Sequence, residues 1–274
     1  MKTSNSLLDS LKSLFAAVVI PLEVVLAVAI YLYVLGNPDN FQGGDPANHP
    51  LPGNYLGIVY KGGFIVPLLI ALLMMVITFS IERLLTISRA KGRGNVRSFV
   101  SRIRALISSN NVSQALAECD KQRGSVANVV KAGLSKYAAL STDTSLDTDK
   151  KVLIIQKDIE ETTQLEMPML EKNLVIIATI ASIATLMGLL GTVMGMIKAF
   201  AALATAGAPD AVALANGISE ALINTALGIG TSALAIIVYN YFTTKIDGLT
   251  YGIDEASYSI VQNFTARSNN QAHA

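Results

Sequence analysis

The chain has 274 residues, of which 51% are hydrophobic and only 15% charged, and its mean hydropathy is +0.48. Soluble domains carry about 25% charged residues, so this composition excludes an ordinary soluble domain and points to a membrane protein. The net charge of +1 hides a mixed basic block, with 15 Lys/Arg against 11 Asp/Glu between Glu82 and Lys172, which argues against a nucleic-acid partner and fits a cytoplasmic segment.

Four apolar stretches are long enough for the ~20 helical residues a bilayer core requires. The first, "LFAAVVIPLEVVLAVAIYLYVLG", follows Lys2 and Lys12 and contains Pro21 and Glu23. It lacks a small-x-small exit, so it reads as an uncleaved span rather than a signal peptide. Residues 1–36 are thus a cytoplasmic segment plus a first transmembrane helix. Residues 37–62 open with "NPDNFQGGDPANHPLPGN", rich in proline and glycine and free of Lys and Arg, which predicts an outside loop. The second span occupies 63–82, and Arg83, Arg89, Lys91, Arg93 and Arg97 behind it place that end inside.

Residues 83–172 read as a cytoplasmic helical domain. Val96, Phe99, Val100, Ile103, Leu106 and Ile107 have amphipathic spacing. The polar linker "STDTSLDTD" offers Asp147 or Asp149 as a helix cap; it lacks the glycine and distal glutamate of a calcium loop. From Lys150 the pattern runs through Ile155, Ile159 and Leu170 into the third span, 173–206. It predicts one helix of more than 50 residues with Pro168 as a kink. An outside turn, 207–216, carries Asp210 and no base; the fourth span covers 217–243, and 244–274 is a cytoplasmic tail after Lys245. Both termini are cytoplasmic on this pattern. The expected fold class is all-α: an integral membrane helical protein with four transmembrane helices and long helices extending into a cytoplasmic domain.

Polar residues inside the last two spans carry the functional information. On the third, Gly188, Gly191 and Gly195 give small tracks on which helix backbones approach closely. Thr185 and Thr192 stand seven residues apart, nearly on one face, although a threonine in a membrane helix also bonds its own backbone. On the fourth, Glu220, Asn224, Thr225, Gly228, Thr231 and Ser232 share an arc of about 140°, and such a stripe faces protein or water rather than lipid. Placing Lys198 level with Glu220 puts Thr192 level with Thr225, about 8 Å deeper. Lys198 either faces Glu220 there or snorkels outward.

The stretches "IASIATLMGLLGTVMGMIKAF" and "ISEALINTALGIGTSALAIIVYNYF" resemble the ExbB/TolQ/MotA proton-channel family, and within it ExbB and TolQ most. The resemblance covers roughly residues 64–245. It implies a ring-forming subunit, usually a pentamer, around a dimer of an ExbD-like single-span protein. A TonB-like protein is a further candidate partner, and lipid surrounds the whole. It also implies that Thr192, Thr225 and Glu220 face the central passage near a partner aspartate. The chain departs from the family by Thr185 and Leu234 at positions that often hold proline, by Lys198, and by its extra first span, which suits a peripheral helix outside the ring. MotA also has four spans; the "EAL--TA-G…YN" signature favours ExbB.

Three functions are therefore in view. The first is a proton-channel subunit that energises a TonB-type outer-membrane transport system from the inner membrane. The second is a flagellar or gliding motor stator subunit, and the third a non-conducting scaffold. No His/Asp/Ser set, P-loop or metal spacing is present, so neither an enzyme nor a cofactor is expected. Cys119 stands alone, and His49 and His273 read as surface residues.

Overall fold

The structure, a computed structural model, describes residues 3–143, 145–204 and 210–272, with residues 3–14 and 269–272 described by backbone alone. It is all-α among those residues, with one isolated bridge, Phe41 to Pro50. The helices are α1 (Thr3–Ala29), α2 (Tyr55–Tyr60), α3 (Val66–Lys91), α4 (Val96–Ser108), α5 (Val112–Gln122), α6 (Gly124–Ser141), α7 (Thr148–Glu171), α8 (Leu174–Leu203) and α9 (Ala211–Ala272). Four helical segments are long and apolar enough to cross a membrane, and the protein is a multi-pass membrane protein. The chain forms two units, residues 1–81 with 173–239, and residues 82–172 with 240–274.

The first unit turns large apolar side chains outward. Leu22, Val25, Leu186, Leu189 and Ile237 are all more than half exposed, the pattern expected of helices solvated by lipid. α1 ends in a π-helical turn, Ile30–Leu35, whose last carbonyls would lack partners. Asn40 supplies them, its Nδ2 donating to Val34 O and Leu35 O, each at 2.9 Å. Asn54 in turn donates to Asn40 Oδ1 at 3.0 Å and caps α2 by accepting from Gly57 N. Tyr31 stacks on Tyr60 at 4.7 Å, and Lys61 Nζ donates to Pro46 O and Ala47 O. The proline- and glycine-rich segment is thus an ordered cap.

In the second unit the spacing of α4 buries Val96, Phe99, Val100, Ile103 and Ile107. α6 adds Val126, Val130, Leu134 and Tyr137, and α7 adds Ile155 and Ile159. Asp147 provides the cap of α7, accepting from Thr148 N at 2.9 Å. Gly92 and Gly124, both at positive φ, let the end of α3 cross the start of α6: a Cβ on Gly124 would sit 2.3 Å from Ala90 O.

Two expectations need correction. The single long helix into the third span is broken at Lys172–Asn173, where Asn173 adopts φ +66°. Asparagine tolerates that left-handed conformation, and Lys172 N still bonds Pro168 O at 3.0 Å. Secondly, the helix that carries the fourth span begins before residue 217, and Asp210 caps it by accepting from Val212 N and Ala213 N. The rest of the expected turn, 207–209, lies outside the described residues. Beyond the fourth span the chain stays helical: α9 runs on to Ala272, and Ile246, Leu249, Ile253, Ala256, Ile260 and Phe264 are buried. Their three- and four-residue spacing is the signal that the segment is structured.

Candidate functional site

The site lies in the first unit, where α8 and α9 pack with almost no side chain between them. A Cβ on Gly228 would lie 2.6 Å from Ala184 O, and one on Gly195 would lie 2.6 Å from Ala221 N. Gly188 faces Asn224 O and Gly228 Cα at 2.9 and 3.0 Å in the same sense. Gly191 is the slot for a side chain rather than a backbone, since its Cβ would meet Asn224 Cβ at 2.4 Å.

This closeness joins the two threonines. Thr192 and Thr225 share a hydroxyl–hydroxyl hydrogen bond. Thr192 Oγ1 also lies 3.2 Å from Gly188 O and 3.3 Å from Ala221 O, and Thr225 Oγ1 lies 3.2 Å from Ala221 O. Each hydroxyl has one proton and two lone pairs, so the pair holds two protons among more acceptors than it can serve at once. One hydroxyl donates to the other, which donates to a backbone carbonyl. Rotating both exchanges the roles without breaking a helix. Both residues are only half-buried, so a further group can reach them.

Toward the α8–α9 turn, Lys198 Nζ donates to Glu220 Oε1 at 2.6 Å and Oε2 at 2.9 Å. Glu220 is buried while the Lys198 side chain is 51% exposed. The lysine therefore spans from an accessible position to a shielded carboxylate. Room for that carboxylate comes from Gly63, at φ +78°, where a Cβ would fall 2.5 Å from Glu220 Oε1. Asn224 reaches the neighbouring residue, its Nδ2 donating to Gly62 O at 2.8 Å across 162 positions of sequence. Its Oδ1 is buried and accepts no hydrogen bond.

The polar arc of α9 therefore points into its own unit. Ser232 Oγ donates to Ala181 O at 2.5 Å, and Thr231 is buried. Thr185 is not brought to this group: it is exposed on α8, one and a half to two turns from Thr192. Gly62 and Gly63 are the residues that sequence reasoning missed. Their one visible signal is the pair of glycines, "KGG", set between a charge and the apolar run of the second span. In the second unit a comparable surprise is Arg83, whose fully buried guanidinium donates to Met169 O and Leu170 O at the end of α7 and pairs with Glu82. It reads in sequence only as one of a row of basic residues. Among the described residues no group of three His, Cys, Asp or Glu side chains is placed to hold a metal ion.

Residues 121–255 match the sequence profile described as the MotA/TolQ/ExbB proton channel family. The Tol-Pal system protein TolQ of Pseudomonas aeruginosa is 32% identical over 136 residues, 50% of this chain and 58% of that protein. The biopolymer transport protein ExbB of Pseudomonas putida is 36% identical over 86 residues, 31% of this chain and 26% of that protein. An ExbB-like protein of Helicobacter pylori is 34% identical over 110 residues, 38% of this chain and 73% of its own length. The chain thus spans little more than half of the TolQ protein and about a quarter of the Pseudomonas ExbB. With α8 and the site-bearing part of α9 inside the matched region, the chain belongs to the MotA/TolQ/ExbB proton channel family.

Proposed function

We propose that this protein is an inner-membrane proton-channel subunit that converts proton-motive force into mechanical work at the outer membrane. The observation that carries this reading is the stacked pair of polar contacts on α8 and α9, Lys198 with Glu220 and, a turn or more deeper, Thr192 with Thr225. A packing role alone would be served by either threonine bonding its own helix. A charged pair and a re-orientable hydroxyl pair on the same two helices suit a path for protons.

In this mechanism the subunit forms a ring, a pentamer on the family resemblance, around a dimer of an ExbD-like single-span protein. Thr192 and Thr225 donate to a carboxylate on the partner's helix or to a water beside it. Protonation of that carboxylate removes its charge and weakens its hold, and it steps to the identical site on the next subunit, so proton entry becomes relative rotation. Glu220 and Lys198 set the field at the outer entrance, with Asn224 holding the pore helix to Gly62. Residues 37–62 and 207–216 lie outside; both termini and residues 83–172 lie in the cytoplasm. The basic run from Arg83 to Arg97 and the lack of Lys and Arg over residues 37–54 support that orientation.

The driven system is a TonB-type transporter or a Tol-Pal-type complex, and likeness to both TolQ and ExbB proteins supports either. Deleting the gene decides between them. Loss of energised uptake assigns a TonB-type system, and unchanged uptake assigns a Tol-Pal-type one. The assembly itself is tested by native mass spectrometry of the solubilised protein co-expressed with its gene neighbours. Five copies holding two of a small single-span protein are expected. A monomer or dimer without such a companion would leave the scaffold reading in its place.

A further inference from the structure

In the second unit α7 and α9 run antiparallel and are joined at two levels. At one, Thr148 and Ser268 share a hydroxyl–hydroxyl hydrogen bond of 2.6 Å. At the other, about 28 Å along α7, Thr250 Oγ1 donates to Met167 Sδ at 3.6 Å. α6 packs on both helices: a Cβ on Gly133 would lie 2.7 Å from Ile159 Cγ1, and the Tyr137 hydroxyl donates to Asn263 Oδ1 at 3.1 Å. Between the two joints α7 and α9 leave a groove of about 840 Å³ to which α6 contributes no lining residue. Its apolar floor includes Ile159 and Ile253, both buried, and Val261, half-buried. Its rims are two rows of four-residue spacing, Gln156, Glu160 and Gln164 on α7 and Asp254, Tyr258 and Gln262 on α9, all exposed.

The polar groups of those rims are unused. None of the six side chains makes a hydrogen bond or an ion pair among the described residues. Neighbouring carboxylates of α7 do: Asp158 meets Lys136 at 3.4 Å, Glu161 meets Lys157 at 3.7 Å, and Glu166 accepts from Asn128 at 2.8 Å. Among the described residues no Lys, Arg or His lines the groove. Glu160 and Asp254 stand on opposite rims, within one turn of each other when counted from either joint. A helix with an apolar edge between two basic flanks matches these three strips. An amphipathic helix lays its apolar face into such a groove, and complementary charge fixes its register and suppresses wrong partners. In the orientation proposed above this unit is cytoplasmic and the partner is a single-span protein. The cytoplasmic flank of a membrane span carries an excess of Lys and Arg, so the partner supplies on this side the charge that the groove lacks.

We propose that the α7–α9 groove is the docking site for a basic, amphipathic segment on the cytoplasmic flank of the single-span partner. Glu160 and Asp254 each meet a Lys or Arg of that segment, and Ile159, Ile253 and Val261 receive its apolar edge. The proposal rests on the reading of this protein as a channel subunit around a single-span partner. It adds a hold on that partner outside the membrane, separate from the Thr192–Thr225 pair.

Photo-cross-linking in intact membranes tests this, with p-benzoylphenylalanine in place of Tyr258 in the full chain co-expressed with its gene neighbours. Mass spectrometry identifies the cross-linked peptides, and native mass spectrometry reports the complex. The expected result is a cross-link to a Lys- or Arg-bearing segment beside the span of the single-span protein. Its yield is expected to fall about tenfold in the Glu160→Lys, Asp254→Lys double variant. Glu160→Gln, Asp254→Asn keeps the shape of both side chains and is expected to lower the yield as well; it decides the matter if reversed charges prevent folding. Three results overturn the proposal while the channel-subunit reading stands: a cross-link to a second copy of this chain, a yield that ignores the loss of both charges, or no cross-link in a complex that holds the single-span protein. A complex without a single-span protein overturns both.

Discussion

α9 runs through two interiors of opposite chemistry. Between Gly217 and Ser232 its buried positions are glycine, alanine, asparagine, glutamate, threonine and serine; between Phe242 and Phe264 they are phenylalanine, isoleucine, leucine, alanine and glycine. The difference follows from what surrounds each. Lipid tails are as apolar as leucine, so burying leucine between membrane helices brings little, and contact comes from close backbones and hydrogen bonds. In water the burial of large apolar surface dominates. The small residues of the first unit are therefore its packing, and its hydroxyls come to lie against neighbours they can bond.

That comparison can be broken at single positions. The largest stability effect is expected for Phe99→Ala in the second unit, where the side chain is fully buried; a loss of about 3–5 kcal/mol is expected, read as a lowered thermal midpoint in detergent. Gly228→Ala adds one methyl group where a Cβ would lie 2.6 Å from a backbone carbonyl, and overpacking of this kind costs about 1–3 kcal/mol. Gly248→Ala on the same helix meets nothing within 4 Å and is expected to gain about 0.5–1 kcal/mol from helix propensity. If Gly228→Ala and Gly248→Ala behave alike, the close-backbone account of the membrane half is wrong.

A smaller effect sharpens the other side. Burial pushes the Cys119 thiol up to about 12, against an ordinary value near 8.5. The thiolate is the reactive form, so alkylation of the folded protein is expected to stay slow through pH 9 and to become fast only on unfolding. Alkylation at neutral pH as rapid as that of an exposed thiol would show that this interior is open.

Legibility in the sequence divided along the same line. Polar residues in an apolar run stand out, which is why Thr192, Thr225, Lys198, Glu220 and Asn224 were conspicuous and a rise of ~1.5 Å per residue was enough to compare their levels. The apolar periodicity of α4 was equally plain. What sequence could not carry were contacts set by the third dimension alone. Asn224 meets a backbone carbonyl from the start of another span, and Arg83 meets the last carbonyls of α7. Neither partner is a side chain, so neither has a residue type to notice. The break at Asn173 was hidden because a lone left-handed asparagine interrupts no hydrophobic pattern. Thr185 shows the converse: a conspicuous hydroxyl that is exposed and joins no polar cluster among the described residues.

The central claim is that the hydroxyl pair lies on the proton path, and one measurement addresses it most directly. The complex, co-purified with its partner, is reconstituted in liposomes and proton flux is followed with a pH-sensitive dye. Thr192→Val, Thr225→Val keeps the shape of both side chains and removes both hydroxyls. The account predicts a complex of unchanged mass whose flux falls to that of empty liposomes. The same assembly conducting at the wild-type rate would contradict it.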